Sequence, residues 1–187
     1  MLKKFAVPII FLGILTGCAS TTDPPEVSTT SNELSPPVEL ITQEEVENAQ
    51  SNWAQALISI GEAEDPKHRA SEVIDNLYNY QDGTVLFKPT KASDIPFRET
   101  KEDALSYFVG GKIDEDNGFA LEPWADIRFD NHNFILREDT ASAAGIYYFT
   151  SKKTGEETKV EYTFGYTRDD DGNLRIEIQH SSLPFSS

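Results

Sequence analysis

The sequence predicts an α+β fold, in which helices come first along the chain and an antiparallel sheet follows. Between residues 42 and 110, apolar side chains recur at the 3.6-residue spacing of one helix face. From about residue 126 onward, apolar and polar residues alternate, which is the pattern of strands buried on one face. Helices followed by strands are typical of an α+β domain, and a sheet curved around the helices would bury its apolar face and enclose one pocket.

Three helices are predicted, and each has an N-terminal cap followed by an apolar stripe. The first begins at Thr42, where Glu45 completes a capping box. The second begins at Asp65-Pro66, because a proline at the first helical position lacks an N–H that would have no partner there. The third begins at Thr100. Glycines end the first and third helices: Gly61 and the pair Gly110-Gly111.

Strands are predicted where apolar and polar residues alternate between turn residues. A short strand, Thr84 to Lys88, precedes the third helix and is stopped by Pro89. Later strands are predicted over 126–129, 134–136, 143–150, 159–167 and 174–182. The strand over 159–167 has one aromatic face, formed by Val160, Tyr162, Phe164 and Tyr166.

The last of these strands, 174–182, changes character along its length. Its apolar residues alternate with polar ones from Leu174 to Ile178, which marks their face as the buried one. The same alternation, continued, puts His180 and Ser182 on that buried face. A buried face that becomes polar at one end predicts the floor of a pocket. The alternative is that His180 and Ser182 lie at a solvated strand end.

The N-terminus has the features of a secretory signal. Lys3 and Lys4 precede an apolar run over residues 5–15, which is too short to span a bilayer as a helix. The run ends in Leu15-Thr16-Gly17-Cys18, which resembles a bacterial lipobox, and Cys18 is the only cysteine in the chain. We therefore predict a signal peptide over 1–17 and a lipid on Cys18, although an ordinary signal with a chance cysteine is the alternative. The lipid would anchor the protein in the cell envelope, on the periplasmic side or in the outer membrane of a Gram-negative cell.

Composition divides the remaining chain into a tether and one domain. Residues 18–40 are rich in Ser, Thr, Pro and Glu without hydrophobic period, which predicts a lipidated, disordered tether. Residues 41–187 are sufficient for one domain with a core.

The chain has 32 acidic against 16 basic side chains and a formal net charge of −16. Such a surface repels nucleic acid and anionic headgroups, so we predict no nucleic-acid partner and attachment to membranes through the lipid alone.

Two common kinds of catalytic site are not indicated. No two of the histidines, His68, His132 and His180, have the spacing that supplies two ligands from one element, so neither a metal nor another cofactor is predicted. A serine nucleophile needs an adjacent base. Ser182 and His180 would lie about 7 Å apart along one strand, which is too far for a direct activating hydrogen bond.

A locally basic segment follows the first predicted strand. Lys88 and Lys91, with Arg98 a little further along, stand out in a strongly acidic chain. Positive groups there could attract a small anion. The alternative is that the two lysines are solubilising edge residues.

Seven short motifs occur in order between about residues 53 and 185. They are Tyr78-x-Tyr80, Val85-Leu86-Phe87-Lys88-Pro89-Thr90, Phe97-Arg98, Tyr107-Phe108, Gly118-Phe119-Ala120-Leu121-x-Pro123-Trp124, Tyr162-Thr163-Phe164-x-Tyr166 and His180-Ser181-Ser182-Leu183-Pro184. Together they resemble the iota-class carbonic anhydrases, and most closely the metal-independent cyanobacterial and algal branch. The resemblance implies a cone-shaped SnoaL-like (nuclear transport factor 2-like) domain, with helices packed in a curved antiparallel sheet, and a homodimer.

The resemblance also implies the reaction CO2 + H2O ⇌ HCO3− + H+ and a site for it. The family's terminal motif often reads His-His-His-Ser-Ser, and the corresponding residues 178–182 keep only the last histidine, which argues against a metal mechanism. The implied alternative is a pocket of hydroxyls that holds bicarbonate directly. Its implied members are Thr90, Tyr107 and Ser182, with Ser181 as a further substrate contact and His180 as the proton acceptor.

Two other functions suit the same fold. A non-catalytic lipoprotein could bind a small ligand in the same cone, since fold alone does not decide function. A SnoaL-like isomerase or cyclase would need an acidic general base in the pocket. No carboxylate lies on the predicted buried faces, which makes this second alternative the weaker one.

Overall fold

A computed structural model describes residues 39–186 and confirms the α+β fold. Within these residues there are three α-helices: α1 Gln43–Glu62, α2 Pro66–Leu77 and α3 Lys101–Val109. The strands of the described part are β1 Leu86–Lys88, β2 Trp124–Leu136, β3 Thr140–Ser151, β4 Glu157–Arg168 and β5 Leu174–Ser182. None of the helices in this part of the chain is long and apolar enough to cross a membrane. The predicted signal peptide, Cys18 and most of the predicted tether lie outside the described residues.

The predicted N-terminal caps of the helices are present, but Gly61 does not end α1, which continues to Glu62 and has Ala63 as its C-cap. Thr42 and Glu45 form the capping box of α1, in which Glu45 N–H donates to the Thr42 hydroxyl at 3.2 Å. Thr100 and Asp103 form a second capping box at α3. The Asp65 carboxylate accepts from His68 N–H at 3.0 Å at the start of α2. The three helix starts were therefore predictable from local side-chain chemistry.

The five strands form one sheet in the order β1-β5-β4-β3-β2. Strands β2 to β5 are antiparallel neighbours, whereas β1 pairs with β5 in parallel at the edge. The predicted strands 126–129 and 134–136 are both part of β2, which continues through a register shift between Asn131 and Asn133. Gly145 lies opposite this irregularity, where an added Cβ would overlap the Asp130 carbonyl oxygen. The absence of a side chain there lets β2 and β3 stay paired.

The core lies between α1 and the inner face of the sheet. Trp53 of α1 lies at its centre, and its ring centroid is 5.6 Å from that of Phe164 and 5.9 Å from that of Tyr147. The predicted aromatic face of β4 is buried: Val160, Tyr162, Phe164 and Tyr166. Trp53 of the helix is therefore surrounded by aromatic side chains of the sheet.

The last strand departs from its predicted alternation. Tyr166 pairs with Ile176 and Gly165 with Ile178, so that Glu177 is an extra residue without a partner on β4. A bulge of this kind reverses the alternation of the residues that follow. The prediction that His180 and Ser182 lie on the buried face is therefore wrong.

After the bulge, the other two residues of the segment face the core. Gln179 is 3% exposed and Ser181 is 1% exposed, whereas His180 is exposed and Ser182 is half-buried. The bulge suits its neighbours, because Ile178 packs where Gly165 has no side chain, and a Cβ on Gly165 would lie 3.0 Å from Ile178.

Candidate active site

Four hydroxyl side chains from separate parts of the chain lie near the C-terminal end of β5. Thr90 follows β1, Tyr107 lies on α3, Tyr147 on β3 and Ser181 on β5. The Tyr147 hydroxyl and Ser181 Oγ form a short hydrogen bond. The Thr90 side chain also interacts with the Tyr147 hydroxyl. Tyr147 thus connects two of the predicted site residues, Thr90 and Ser181.

Tyr107 lies beside this cluster, on the inner side of α3. Its hydroxyl accepts a hydrogen bond from the backbone N–H of Lys91, the residue after Thr90, at 3.4 Å. Its ring packs edge-on against Phe87 with centroids 5.7 Å apart. It also stacks on Phe119 with centroids 5.3 Å apart. These contacts hold the Tyr107 hydroxyl next to the segment that carries Thr90.

Burial keeps both phenols protonated. It raises the pKa of Tyr147 to about 12, against the opposing effect of hydrogen bonds from Ser181, Thr90 and Gln179. It also raises the pKa of Tyr107 well above its ordinary value, and the Lys91 N–H opposes this shift. Both side chains are therefore hydrogen-bond donors near neutral pH and not bases.

A small cavity of about 120 Å³ opens beside Tyr107. It is lined by Lys91, Tyr107, Glu115, Asp116, Asn117, Gly118, Phe119 and Glu122. The Lys91 ammonium lies 5.9 Å from the centroid of the Phe119 ring. The cavity therefore lies between Tyr107 and a part of the surface that carries both positive and negative side chains.

The predicted basic segment does not form one surface patch. Lys88 donates to the Ser181 carbonyl oxygen at 3.1 Å, which ties β1 to the end of β5. Arg98 is fully buried and pairs with the Asp116 carboxylate at 2.5 Å. Its guanidinium carbon also lies 5.7 Å from the Tyr107 ring centroid. Of the three cations, Lys91 alone lines the cavity, whereas Arg98 is buried and packs against the Tyr107 ring.

The structure brings some predicted site residues together and leaves others out. Thr90 and Ser181 meet at the Tyr147 hydroxyl, and Tyr107 lies beside them. His180 and Ser182 project from the opposite face of the sheet, where their register partners are the exposed residues Thr163 and Glu161. This arrangement follows from the bulge in β5 and separates the two serines of the Ser-Ser pair.

Sequence reasoning missed two polar residues at the site, Tyr147 and Gln179. Tyr147 lies on the buried face of β3, and a buried tyrosine hydroxyl needs a partner, which is a signal that could have drawn attention to it. Within the motif, Gln179 is evidence only against a metal. Its side-chain oxygen accepts from the Tyr78 hydroxyl at 2.5 Å, and Tyr78 accepts from Trp53 Nε1–H at 2.8 Å.

Metal ligands are scarce around these hydroxyls. Within residues 39–186 no group of three or more His, Cys, Asp or Glu side chains is arranged to hold a metal ion. His68 is on α2 beside Glu72, at 3.4 Å, and His132 lies in β2. The polar groups that lie here are hydroxyls and one amide, which are chemically able to donate hydrogen bonds to a small oxyanion.

Helices enclosed by a curved sheet, with a small polar site at one end, define the nuclear transport factor 2-like class of folds. A solved NTF2-like protein with a cystatin-like fold from Novosphingobium aromaticivorans superposes with a TM-score of 0.53 at 13% identity. The match covers 78% of this chain and 83% of that one. At this identity the likeness shows the fold alone.

More similar proteins identify the family. A family model described as metal-independent carbonic anhydrase matches residues 44–183. A metal-independent carbonic anhydrase from Nostoc sp. strain PCC 7120 is 39% identical over 197 aligned positions, which cover 99% of this chain and 96% of the relative. The crystal structure of an iota-carbonic anhydrase from a cyanobacterium, complexed with bicarbonate, matches with a TM-score of 0.76 at 40% identity, over 82% of this chain and 100% of that chain.

This chain belongs to the metal-independent carbonic anhydrase family. The resemblance found in the seven motifs is confirmed, and so is the interpretation of the chain as a carbonic anhydrase, a lyase.

Proposed function

We propose that this enzyme hydrates CO2 in a pocket formed by the hydroxyls of Thr90, Tyr107 and Ser181, without a metal. The observation that carries the proposal is the inward position of Ser181, whose Oγ meets Tyr147 and, through it, Thr90. A cyanobacterial relative was solved with bicarbonate bound, which supports bicarbonate as the ligand of this pocket. Ser181 here takes the role that the motif alone had suggested for Ser182.

Each hydroxyl has a distinct part in the reaction. The Thr90 oxygen accepts a hydrogen bond from the attacking water and orients it toward the carbon of CO2. The hydroxyls of Tyr107 and Ser181 donate to the oxygens on which negative charge develops as the new C–O bond forms. The water proton passes to a second water in the cavity beside Tyr107 and then to solvent. The products are HCO3− and a hydrated proton.

The walls of the pocket strengthen these hydrogen bonds. Phe87 is buried and packs against Tyr107, and Phe164 packs against Tyr147 with ring centroids 6.1 Å apart. An apolar wall accepts CO2, which carries no charge. It also excludes bulk water, so donors aimed at the developing carboxylate act in a low dielectric and need no reorganisation.

The test is stopped-flow CO2 hydration by the full chain, with and without a chelator. The expected result is activity that the chelator leaves unchanged. Thr90→Val should lower kcat/KM on the order of 10²-fold, the usual loss for one preorganised hydrogen-bonding group. Thr163→Val, on the exposed face of β4, is the matched control and should stay within about twofold. Activity abolished by the chelator, or equal losses in the two variants, would contradict the proposal.

We also propose that the enzyme is a lipid-anchored protein of the cell envelope. The lipobox-like Leu15-Thr16-Gly17-Cys18 supports a lipid on Cys18, and a periplasmic or outer-membrane location follows if the cell is Gram-negative. Labelled palmitate should be incorporated into the wild type and not into Cys18→Ser. The variant should move from the membrane fraction to the soluble fraction; a variant that stays in the membrane would argue against the anchor.

A homodimer through the outer face of the sheet is the third part of the proposal. Leu86, Ile178, Gly165, Ser142 and Ile135 are register partners in one row across all five strands. The ends of this row are exposed apolar side chains, Leu86 at 62% and Ile135 at 59%. Burying such a row against a second copy would remove it from water.

Analytical ultracentrifugation of the full chain tests the dimer. Ile135→Glu should shift the protein toward monomer. Ile95→Glu, at an apolar residue that is 50% exposed and lies away from the sheet, should not. A wild type that sediments as a monomer would contradict the proposal.

A further inference from the structure

The loop that carries Thr90 is held mainly by one side chain. This loop, residues 89–97, follows β1 and returns to it at Arg98, whose backbone N–H donates to the Phe87 carbonyl oxygen at 2.9 Å. Four backbone N–H groups within the loop donate hydrogen bonds. One of them, that of Lys91, donates to the Tyr107 hydroxyl at 3.4 Å. The other three donate to the carboxylate of one residue on another part of the chain.

That carboxylate is Glu115, which binds three consecutive residues of the loop. Its Oε2 accepts from the Ser93 N–H at 2.7 Å, from the Ser93 hydroxyl at 2.8 Å and from the Asp94 N–H at 3.2 Å. Its Oε1 accepts from the Ile95 N–H at 2.9 Å. Successive backbone N–H groups of this kind form a concave site for an anion. The hydrogen bonds from Ile95 and Ser93 lower the pKa of Glu115 to about 2, so the acceptor is ionised at neutral pH.

The segment that carries Glu115 is itself fixed to α3, the helix of Tyr107. Ser106 precedes Tyr107 and is 2% exposed. Its Oγ accepts from the backbone N–H groups of Lys112 at 3.1 Å and Ile113 at 2.9 Å, in the turn after the helix. Glu115 follows two residues later. Its carboxylate therefore has a defined position relative to Tyr107.

A buried ion pair joins the same two segments. The Arg98 guanidinium, at the end of the loop, pairs with the Asp116 carboxylate at 2.5 Å, and both side chains are fully buried. The guanidinium also donates to the Ile95 carbonyl oxygen and lies 5.7 Å from the Tyr107 ring centroid. Separating the pair would leave two buried charges without partners, which is strongly unfavourable. The ion pair therefore keeps the loop close to the residue that follows Glu115.

We propose that Glu115 is a positioning residue, which sets the Thr90 hydroxyl relative to that of Tyr107 by holding the loop against the segment after α3. The inference rests on the proposed function, in which Thr90 orients the attacking water and Tyr107 donates to the developing carboxylate. A misplacement of about 1 Å between such groups can lower a rate on the order of 10²-fold. In this role Glu115 acts through Thr90 and not on the substrate.

The first test is Glu115→Ala in the full chain, which removes all four hydrogen bonds to the loop. In stopped-flow CO2 hydration kcat should fall about tenfold, while KM for CO2 changes less than about twofold, because Thr90 holds the water and not CO2. Glu115→Gln keeps one oxygen for the donors that now bind Oε2, and should lose less than about threefold.

Glu122→Ala is the matched control. Glu122 lines the same cavity and has the same charge, but its carboxylate pairs with Lys153 at 3.4 Å, away from the loop. Its kcat should stay within about twofold of the wild type. Equal activities in Glu115→Ala and Glu122→Ala would overturn the proposal.

Double variants distinguish the positioning of Thr90 from a general loss of stability. In a Thr90→Val background, Glu115→Ala should lower kcat by less than about a further twofold, because the hydroxyl that it positions is gone. In a Ser181→Ala background the loss of about tenfold should remain, because Ser181 lies on β5 and bonds to Tyr147. Equal losses in the two backgrounds would overturn the proposal.

Amide hydrogen exchange tests the contact without measuring activity. The amides of Ser93, Asp94 and Ile95 should exchange at least about tenfold faster in Glu115→Ala than in the wild type, while those of α3 keep their protection. Glu115→Gln, with a smaller increase at the same three amides, replaces Glu115→Ala if that variant does not fold. Unchanged exchange at these amides would overturn the proposal.

Thr90→Val alone separates this inference from the proposed function. If that variant keeps wild-type activity, the proposed pocket is wrong and Glu115 has no catalytic hydroxyl to position. If Thr90→Val loses activity while Glu115→Ala keeps it, the pocket stands and the positioning role of Glu115 fails.

Discussion

The two faces of β5 beyond its bulge carry similar side chains in opposite surroundings. On the inner face, Gln179 and Ser181 are buried and each is hydrogen-bonded to a tyrosine. On the outer face, His180 is exposed and Ser182 is half-buried, and both lie beside exposed residues of β4. One unpaired residue, Glu177, separates these outcomes, because it reverses the alternation of the strand.

The motif by itself therefore does not determine which serine is functional. His180-Ser181-Ser182 contains a potential base and two hydroxyls, and spacing alone places His180 and Ser182 on the same face of the strand. The register of the sheet instead selects Ser181 and gives it partners that are distant in sequence, such as Tyr147, 34 residues earlier. Substitutions on the two faces of the strand test this contrast.

Replacing each of the two serines by alanine, one at a time, should give the largest difference in activity between the inner and outer faces. Ser181→Ala removes a donor to the developing carboxylate and should reduce kcat/KM about 10²- to 10³-fold. Ser182→Ala should change it by less than about twofold, because its side chain projects away from the pocket. Stopped-flow CO2 hydration measures both. A larger loss in Ser182→Ala than in Ser181→Ala would mean that the bulge does not determine the site.

Two adjacent tyrosines on β3 repeat the contrast with a smaller effect. Tyr147→Phe removes the hydroxyl that joins Ser181 and Thr90 while leaving its ring packing, and should reduce kcat about 10- to 100-fold. Tyr148 lies on the outer face, where the Arg128 guanidinium is 4.2 Å from its ring centroid. Tyr148→Phe keeps that contact and should leave kcat within about twofold. Equal activities in the two variants would show that Tyr147 only packs.

The same contrast explains how much could be predicted from the sequence. Local patterns sufficed for the caps at Thr42 and Thr100 and for the buried aromatic face of β4, since these depend on neighbouring residues. Thr90 and Tyr107 could be carried over from a resemblance. The bulge could not be predicted, because it depends on the fit of Ile178 against Gly165, on another strand. The roles of Tyr147 and Gln179 likewise come from partners far apart in the sequence.

The fit of Gly165 against Ile178 can be tested directly. Gly165→Ala places a Cβ 3.0 Å from Ile178 and crowds the outer side of the bulge. The variant should lose about 1–3 kcal/mol of unfolding free energy, the usual cost of overpacking. It should lose only a few-fold in kcat, measured as CO2 hydration at 25 °C. Gly155→Ala, in an exposed turn with open space at its Cβ, is a control for the loss of a glycine. Because Gly155 has a φ of +73°, that control will itself lose stability, but it should not change kcat.

The smallest effect is expected for His180, which the motif alone would make the proton acceptor. A proton acceptor in that role would make the rate depend on pH, and His180→Ala would remove that dependence. The inner-face donors behave differently. Burial raises the pKa of Tyr147 to about 12. The protonated phenol, which is the form that donates, is therefore fully present below about pH 10 and is lost only as the pH rises through about 12. The pH profiles of His180→Ala and the wild type should therefore superimpose between about pH 6 and 9, within about twofold in rate. A pH dependence of the wild type that disappears in His180→Ala would identify His180 as the proton acceptor. The active site would then lie on the outer face of the sheet, with Ser182 as its serine.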